Sequence, residues 1–338
     1  LLTSGCADSQ GAGPVGPRAA SPAVIAPAAP IVVRSEPWSY ADQPGKIFHT
    51  DHYRLFTTEQ SPMLLERLPP FLEIALDAYT SDLADLPKPT LPLDTFLLAE
   101  RWQWSRLTKQ LMGEEADLYL RIGRGGFAAD GRAILYTIGP HDTLAIAAHE
   151  GWHQFTQRTF KQRLPVWLEE GVAAYMEGFR PDPTAPGGRR MAPWANAERF
   201  DQLRNAHATG NLVSLEQLLT STPGALIEVT TDGTLNYYAQ VWALTHFLKE
   251  GEGGRYAQSL QRLLIDAAEG RLSKTVQARI GPQSMRLGAA VGVGPLIFFA
   301  YFERDLELAD RQYQAFIADI VRVGAKDLIV QGESPVSR

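Results

Sequence analysis

Residues 143–160 read TLAIAAHEGWHQFTQRTF, and residues 164–177 read LPVWLEEGVAAYME. The first stretch repeats apolar residues at helical spacing, and with its lead-in predicts one helix over residues 141–160. His149 and His153 stand four apart, one above the other on a single helical face, where both imidazoles can reach one metal ion. Glu150 points to a neighbouring azimuth and can hold a water beside that metal. Ala145, Ile146, Ala147 and Ala148 suit a helix whose other faces are buried. The second stretch predicts a helix over residues 165–179, with Pro165 in the first turn, where a missing N–H does no harm. Sixteen residues separate His153 from Glu170, room for the end of one helix, a turn and the start of another. Glu169 competes with Glu170. The two point about 100° apart on a helix, so only one can face the metal. Taken singly, these residues would also suit two core histidines and two surface glutamates.

Together they suit something narrower. HEGWHQF followed by PVWLEEGVAAYME resembles the paired zinc helices of gluzincin metallopeptidases, the clan of thermolysin and the zinc aminopeptidases. It is similar to an uncharacterised family of bacterial HExxH proteins in that clan. The resemblance is specific over residues 143–177 and loose elsewhere. It implies an α+β, zincin-like fold: a mixed sheet, the HExxH helix, a second zinc helix, and a mostly helical C-terminal part. It further implies one Zn²⁺ per chain, held by His149, His153 and Glu170, the glutamate directly before Gly171. Trp167, Val166 and Ala174 share the side of Glu170, which should make that face the buried one. Gly171 is expected to let the two zinc helices approach closely.

The resemblance also assigns roles. Glu150 would be the general base of a zinc-dependent peptidase, most simply an endopeptidase, acting on a peptide or protein substrate. Tyr238-Ala239-Gln240 resembles the stretch that supplies a catalytic tyrosine in related peptidases, so Tyr238 is the expected oxyanion donor and Tyr237 its rival. The strand before the HExxH helix is expected to bind extended substrate through Ile134, Leu135, Tyr136 and Thr137. The aminopeptidase GxMEN motif is missing, and no third histidine follows at the metzincin spacing. Thermolysin-like enzymes orient a histidine with an acid four residues beyond the third ligand. Ala174 stands there, so that partner must come from elsewhere. Two other classes remain open: a catalytically idle binding or scaffold domain, and a zinc hydrolase of a non-peptide amide.

Working outward, residues 47–57 and 94–99 read as strands, as do residues 118–125 and 131–139, the last two paired through a Gly/Ala/Asp turn. Residues 62–79 read as a helix that Pro69 and Pro70 could kink, and residues 101–112 as a short one. Beyond a loop at 181–188, helical patterns cover residues 194–206, 214–219, 235–249, 256–269 and 299–323. This divides the chain into an α+β part with the metal site at 38–180, a helical part at 181–325, and a flexible tail at 326–338. His49, His52, His141, His207 and His246 lack ligand-like spacing to the motif. Arg189 and Arg190 suit a solvated loop or an acidic substrate.

The 338 residues carry 32 basic and 38 acidic side chains, a net charge of -6, and no local basic block, which argues against a nucleic-acid partner. The single cysteine excludes an intrachain disulfide and a cysteine-based zinc site. That residue is Cys6, and LLTSGC over residues 1–6 resembles the end of a bacterial lipoprotein signal peptide. Residues 7–37 are rich in Ala, Pro, Gly and Ser, too poor in apolar surface to offset chain entropy, and read as a disordered tether. The expectation is a protein anchored in the bilayer of the bacterial cell envelope through acylated Cys6. Ala7 favours the outer membrane.

Overall fold

The computed structural model describes residues 31, 33–123, 125–221, 233–281, 286 and 292–337. Cys6 and most of the expected tether therefore lie outside the described residues. The first part contains strands β1 (Arg34–Tyr40), β2 (Gln43–His49) and β3 (Tyr53–Thr57), helix α1 (Pro62–Ser81), strand β4 (Leu93–Leu98), helices α2 (Arg101–Met112) and α3 (Ala116–Leu120), and strands β5 (Gly126–Ala129) and β6 (Arg132–Tyr136). The strands make one mixed sheet in the order β1-β2-β3-β4-β6-β5. β3, β4 and β6 run parallel and the outer pairings are antiparallel.

Strand alternation sets the layers. In β3, Tyr53, Leu55 and Thr57 are buried towards α1, while Arg54 and Phe56 face the other way. α2 covers part of that second face with Trp104 and Leu107, packed on Leu98, Ile134 and Tyr136. The first face carries α1 and α4 (Pro140–Thr159), the helix with the two histidines. Gln154 fastens α4 to the sheet: its Oε1 accepts from Thr95 Oγ1 at 3.1 Å, and its Nε2 donates to the carbonyls of Asp94 and Gly131. Tyr79 of α1 donates to the Ala148 carbonyl at 2.7 Å, directly before the first histidine.

The helical remainder comprises α5 (Val166–Tyr175), a small hairpin of β7 (Phe179–Pro181) and β8 (Arg189–Met191), and helices α6 (Ala197–Thr209), α7 (Leu215–Thr220), α8 (Gly233–Glu250), α9 (Ala257–Glu269), α10 (Leu272–Ile280), α11 (Val293–Tyr301), α12 (Leu306–Ile320) and α13 (Ala325–Gln331). The molecule is α+β and mostly helical. No helix among the described residues is long and apolar enough to cross a membrane.

Several elements differ from the sequence reading. β1 begins at Arg34, so the last residues assigned to the tether pair with β2. The single strand expected at 47–57 is two, because Glu73 of α1 accepts from Thr50 Oγ1 and the His52 N–H and pins a turn between them. Pro69 and Pro70 both sit buried inside one continuous α1. The strand expected at 118–125 is replaced by α3, and the partner of β6 is the shorter β5. Asp130 and Gly131 join them with φ of 52° and 70°, the two-residue turn that matches strand twist. The loop at 181–188 is flanked by the β7–β8 hairpin. The helix expected at 299–323 breaks, with Asp305 capping α12 through the Leu308 N–H. α10 falls where no element was expected, and α13 occupies the start of the supposed flexible tail. The core does not respect a boundary at residue 180, since one cluster joins Phe71 and Leu168 to Trp242 and Tyr313.

Candidate metal centre

α4 and α5 meet so that His149, His153 and Glu170 each offer one ligand atom, all within 4.8 Å of one another. The Nε2 atoms of His149 and His153 each lie 3.5 Å from the same oxygen, Glu170 Oε2. That oxygen is buried and has no hydrogen-bond partner. A buried carboxylate oxygen without a donor costs free energy unless a cation meets it. The opposite ring nitrogens are both engaged. His149 Nδ1 lies 2.8 Å from Glu177 Oε1, and His153 Nδ1 lies 2.9 Å from Glu169 Oε1. Thr156 Oγ1 also donates to Glu169 Oε1 at 2.7 Å. Carboxylates on the Nδ1 atoms turn both Nε2 atoms inward, the orientation metal-binding histidines use. The group is compatible with a metal ion.

Electrostatics point the same way. Glu150, Glu169, Glu170 and Glu177 lie about the two imidazoles, and Glu177 also pairs with the guanidinium of Arg199. Burial pulls the His149 imidazole down, but Glu170 and Glu177 outweigh it and raise its pKa to about 9. His153 is raised for the same reason, by Glu170 and Glu169 acting against burial. Burial alone would raise Glu170, yet the two histidines leave it well below the carboxylate range. The carboxylates and imidazoles of the site thus stabilise one another's charged forms.

Glu150 is buried beside this group. Burial raises its pKa, opposed by His149 and His153. Tyr238, from α8, places its ring 5.8 Å from that of His149 and nearly perpendicular to it. Burial and then Glu170 push its phenol well above the ordinary range. Tyr237 is fully buried against Tyr238, with its hydroxyl unpartnered.

A cleft of about 2190 Å³ runs over these residues. Gly126 to Ala129 of β5 line it, together with Ala145, Ile146, Val166, Leu235 and Tyr238. Ile134, Leu135, Tyr136 and Thr137 do not. β6 is paired with β4 on one side and β5 on the other, leaving no edge for a substrate, and Thr137 is tied to Leu98 and Glu59. The strand at the cleft edge is β5. Val166, expected on the buried side of α5, is 43% exposed. Gly171 serves a different approach from the expected one: a Cβ there would meet Thr245 Oγ1 at 2.6 Å and the Val241 carbonyl at 2.8 Å, so it admits α8 rather than α4.

Residues 143–265 match a family profile described as "Protein of unknown function (DUF1570)". The similarity takes in α4, α5, α6 and α8, the helices that carry the site. No curated protein matches the chain.

Sequence reading missed Glu177, Arg199 and Asn196. Glu177 lies seven residues beyond Glu170, close to two helical turns, and that spacing was a usable signal. Arg199 and Asn196 arrive with α6 and carry none. Of the remaining histidines, His49 meets Glu36 and His52 meets Glu73 through side chains, and His246 is buried. Arg189 and Arg190 form β8.

Proposed function

We propose that the protein is a zinc-dependent peptidase of zincin type, acting as an endopeptidase on peptide or protein substrates. The observation that carries this reading is the pair of inward-facing histidine Nε2 atoms at 3.5 Å from an unpartnered Glu170 oxygen, with Glu150 beside them. His149, His153 and Glu170 would hold the ion, and three nitrogen and oxygen ligands with room for a fourth are the donor set of a catalytic zinc. Bound there, zinc would supply Lewis acidity, lowering the pKa of a water towards roughly 7 and polarising a carbonyl.

The chain's own residues do the rest. Glu150, made a stronger base by burial, takes as the carboxylate the proton of the attacking water and hands it to the leaving amine nitrogen. The Tyr238 phenol, far from ionisation, donates a hydrogen bond to the carbonyl oxygen as charge builds there. The outer edge of β5, which lines the cleft beside Glu150, offers backbone groups to an extended chain. An intact general base in a cleft open to large substrates favours catalysis over an idle scaffold. The envelope reading belongs to the same proposal: a lipid anchor at Cys6 would hold the peptidase at a bacterial membrane, the outer one by the residue that follows.

Metal analysis of the purified protein together with digestion of a peptide library tests the reading. Zinc near one per chain with internal cleavage supports it. A metal-free protein that refuses added zinc, or a zinc protein inert on every peptide, overturns it. Cys6→Ser in the precursor should move the protein from the membrane to the soluble envelope fraction, and equal pelleting of both forms would place the anchor elsewhere.

A further inference from the structure

Arg199 holds two parts of the site at once. Its Nε donates to Glu177 Oε2 at 3.0 Å and its Nη2 to Glu177 Oε1 at 2.7 Å. Its Cζ lies 5.0 Å from the centroid of the Tyr238 ring. The side chain is only 14% exposed. Asn196, the N-cap of α6, accepts from the Arg199 N–H and donates to Glu177 Oε2 at 2.8 Å. Both oxygens of Glu177 are thereby filled: Oε1 by His149 Nδ1 and Arg199, Oε2 by Asn196 and Arg199.

We propose that Arg199 is a positioning residue that fixes the His149 imidazole and the Tyr238 ring together, the first through Glu177 and the second through its guanidinium face. A carboxylate held only by an imidazole and one amide can still tilt and let that ring turn. The planar fork of an arginine removes this freedom and presents a flat cation to an aromatic face. Tyr238 consequently contacts both groups, the Arg199 guanidinium over its ring at 5.0 Å and the His149 ring in an edge contact at 5.8 Å. Lysine can match the charge but neither the fork nor the face. The part played by Tyr238 in turnover rests on the peptidase reading, whereas the hold on His149 does not.

The test uses the full chain with Arg199→Lys, Glu177→Gln, Tyr238→Phe and the doubles of Arg199→Lys with each. Zinc affinity is read by competition with a chromophoric chelator. Arg199→Lys and Glu177→Gln should each weaken zinc by about 10–100-fold, and their double should be no worse than the weaker single. Tyr238→Phe should leave zinc affinity unchanged. On a peptide found by library digestion, at saturating zinc, Arg199→Lys should lower kcat with little change in KM, and most of that loss should vanish in the Tyr238→Phe background. Native zinc affinity in a folded Arg199→Lys, or losses that multiply independently in the doubles, would overturn the proposal. If Arg199→Lys does not fold by near-ultraviolet circular dichroism, Glu177→Asp, which withdraws the carboxylate from the fork, takes its place under the same criteria. Should no peptide be cleaved, the peptidase reading fails while the zinc arm still decides the grip on His149.

Discussion

Glu170 Oε2 is buried without a hydrogen-bond donor, whereas Glu169 Oε1 accepts from both His153 and Thr156. On the proposed reading the neighbouring glutamates on one helix have different work, Glu170 facing the metal position and Glu169 holding the His153 imidazole. Glu170→Ala should purify with little zinc. Glu169→Ala should keep one zinc per chain but bind it about 10–100-fold more weakly, the usual result of removing a group that orients a ligand. Elemental analysis and chelator competition on the two variants check this, and a reversed order would exchange the assignments. Glu150 touches neither a ring nitrogen nor Glu170 in any hydrogen bond. Glu150→Gln should retain full zinc while kcat on a cleaved peptide falls by about 10²–10⁴; unchanged turnover would remove Glu150 from the reaction. The candidate metal group was legible in part: the histidine pair stands four positions apart on one helix, a local rule, whereas Glu170 was preferred to Glu169 only through the family resemblance. The groups around Glu177 were not, because Asn196 and Arg199 reach it from a separate helix, and nothing in a linear pattern says which arginine will find which carboxylate.

Among elements, periodicity located most helices and strands but misplaced breaks and strand partners: the run at 299–323 is broken between α11 and α12, and the strand expected at 118–125 is helical. Leu118, Leu120 and Ile122 alternate with polar residues and imitate a strand, yet α3 is helical with Leu118 65% exposed, and Asp117 lies in its first turn. The true partner of β6 is the four-residue β5, too short to announce itself, and its arrival turned the expected edge strand into an interior one. Gly171 shows the same limit: glycine beside a ligand signals a close approach, but not of what. α5 packs on α8 through this position, so Gly171→Ala drives a Cβ into Thr245 Oγ1 and the Val241 carbonyl. The hydroxyl can turn away, the backbone carbonyl cannot, and helix propensity returns part of the loss. A net destabilisation of about 1–3 kcal/mol is expected, read by urea unfolding. Because Tyr238 rides on α8, activity should fall more than zinc affinity does. Wild-type stability in Gly171→Ala would show that the two helices part without cost.

At the scale of the molecule, distant segments converge on His246. Its ring stacks on Trp194 at 3.6 Å and contacts Tyr175 of α5 and Trp242 of α8. Both ring nitrogens are buried without a hydrogen bond, and Glu250 Oε1, 3.6 Å away, is already taken by Trp194 Nε1 at 2.6 Å. Ser334, beyond α13, holds the other oxygen of Glu250, so the last residues join the packing that a flexible tail would have lacked. The charged groups facing this place are Glu250, Lys249 and Asp82, the last two paired with each other beside the Tyr175 hydroxyl. Burial lowers the pKa of His246 below its ordinary 6.5, with Glu250 opposing and Lys249 assisting. The sign follows: as pH falls below about 6.5 the unfolded chain binds a proton that the folded imidazole refuses, so stability present above that pH is lost, at up to about 1.4 kcal/mol per unit. Urea unfolding at about pH 7.5 and 5.5 should therefore show a larger loss in the wild type than in His246→Phe. The comparison between the two proteins removes the contribution of His149 and His153, whose raised pKa values act in the opposite direction and are common to both. Equal losses would mean that His246 is protonated in the folded state, with Glu250 withdrawn from Trp194 to meet it.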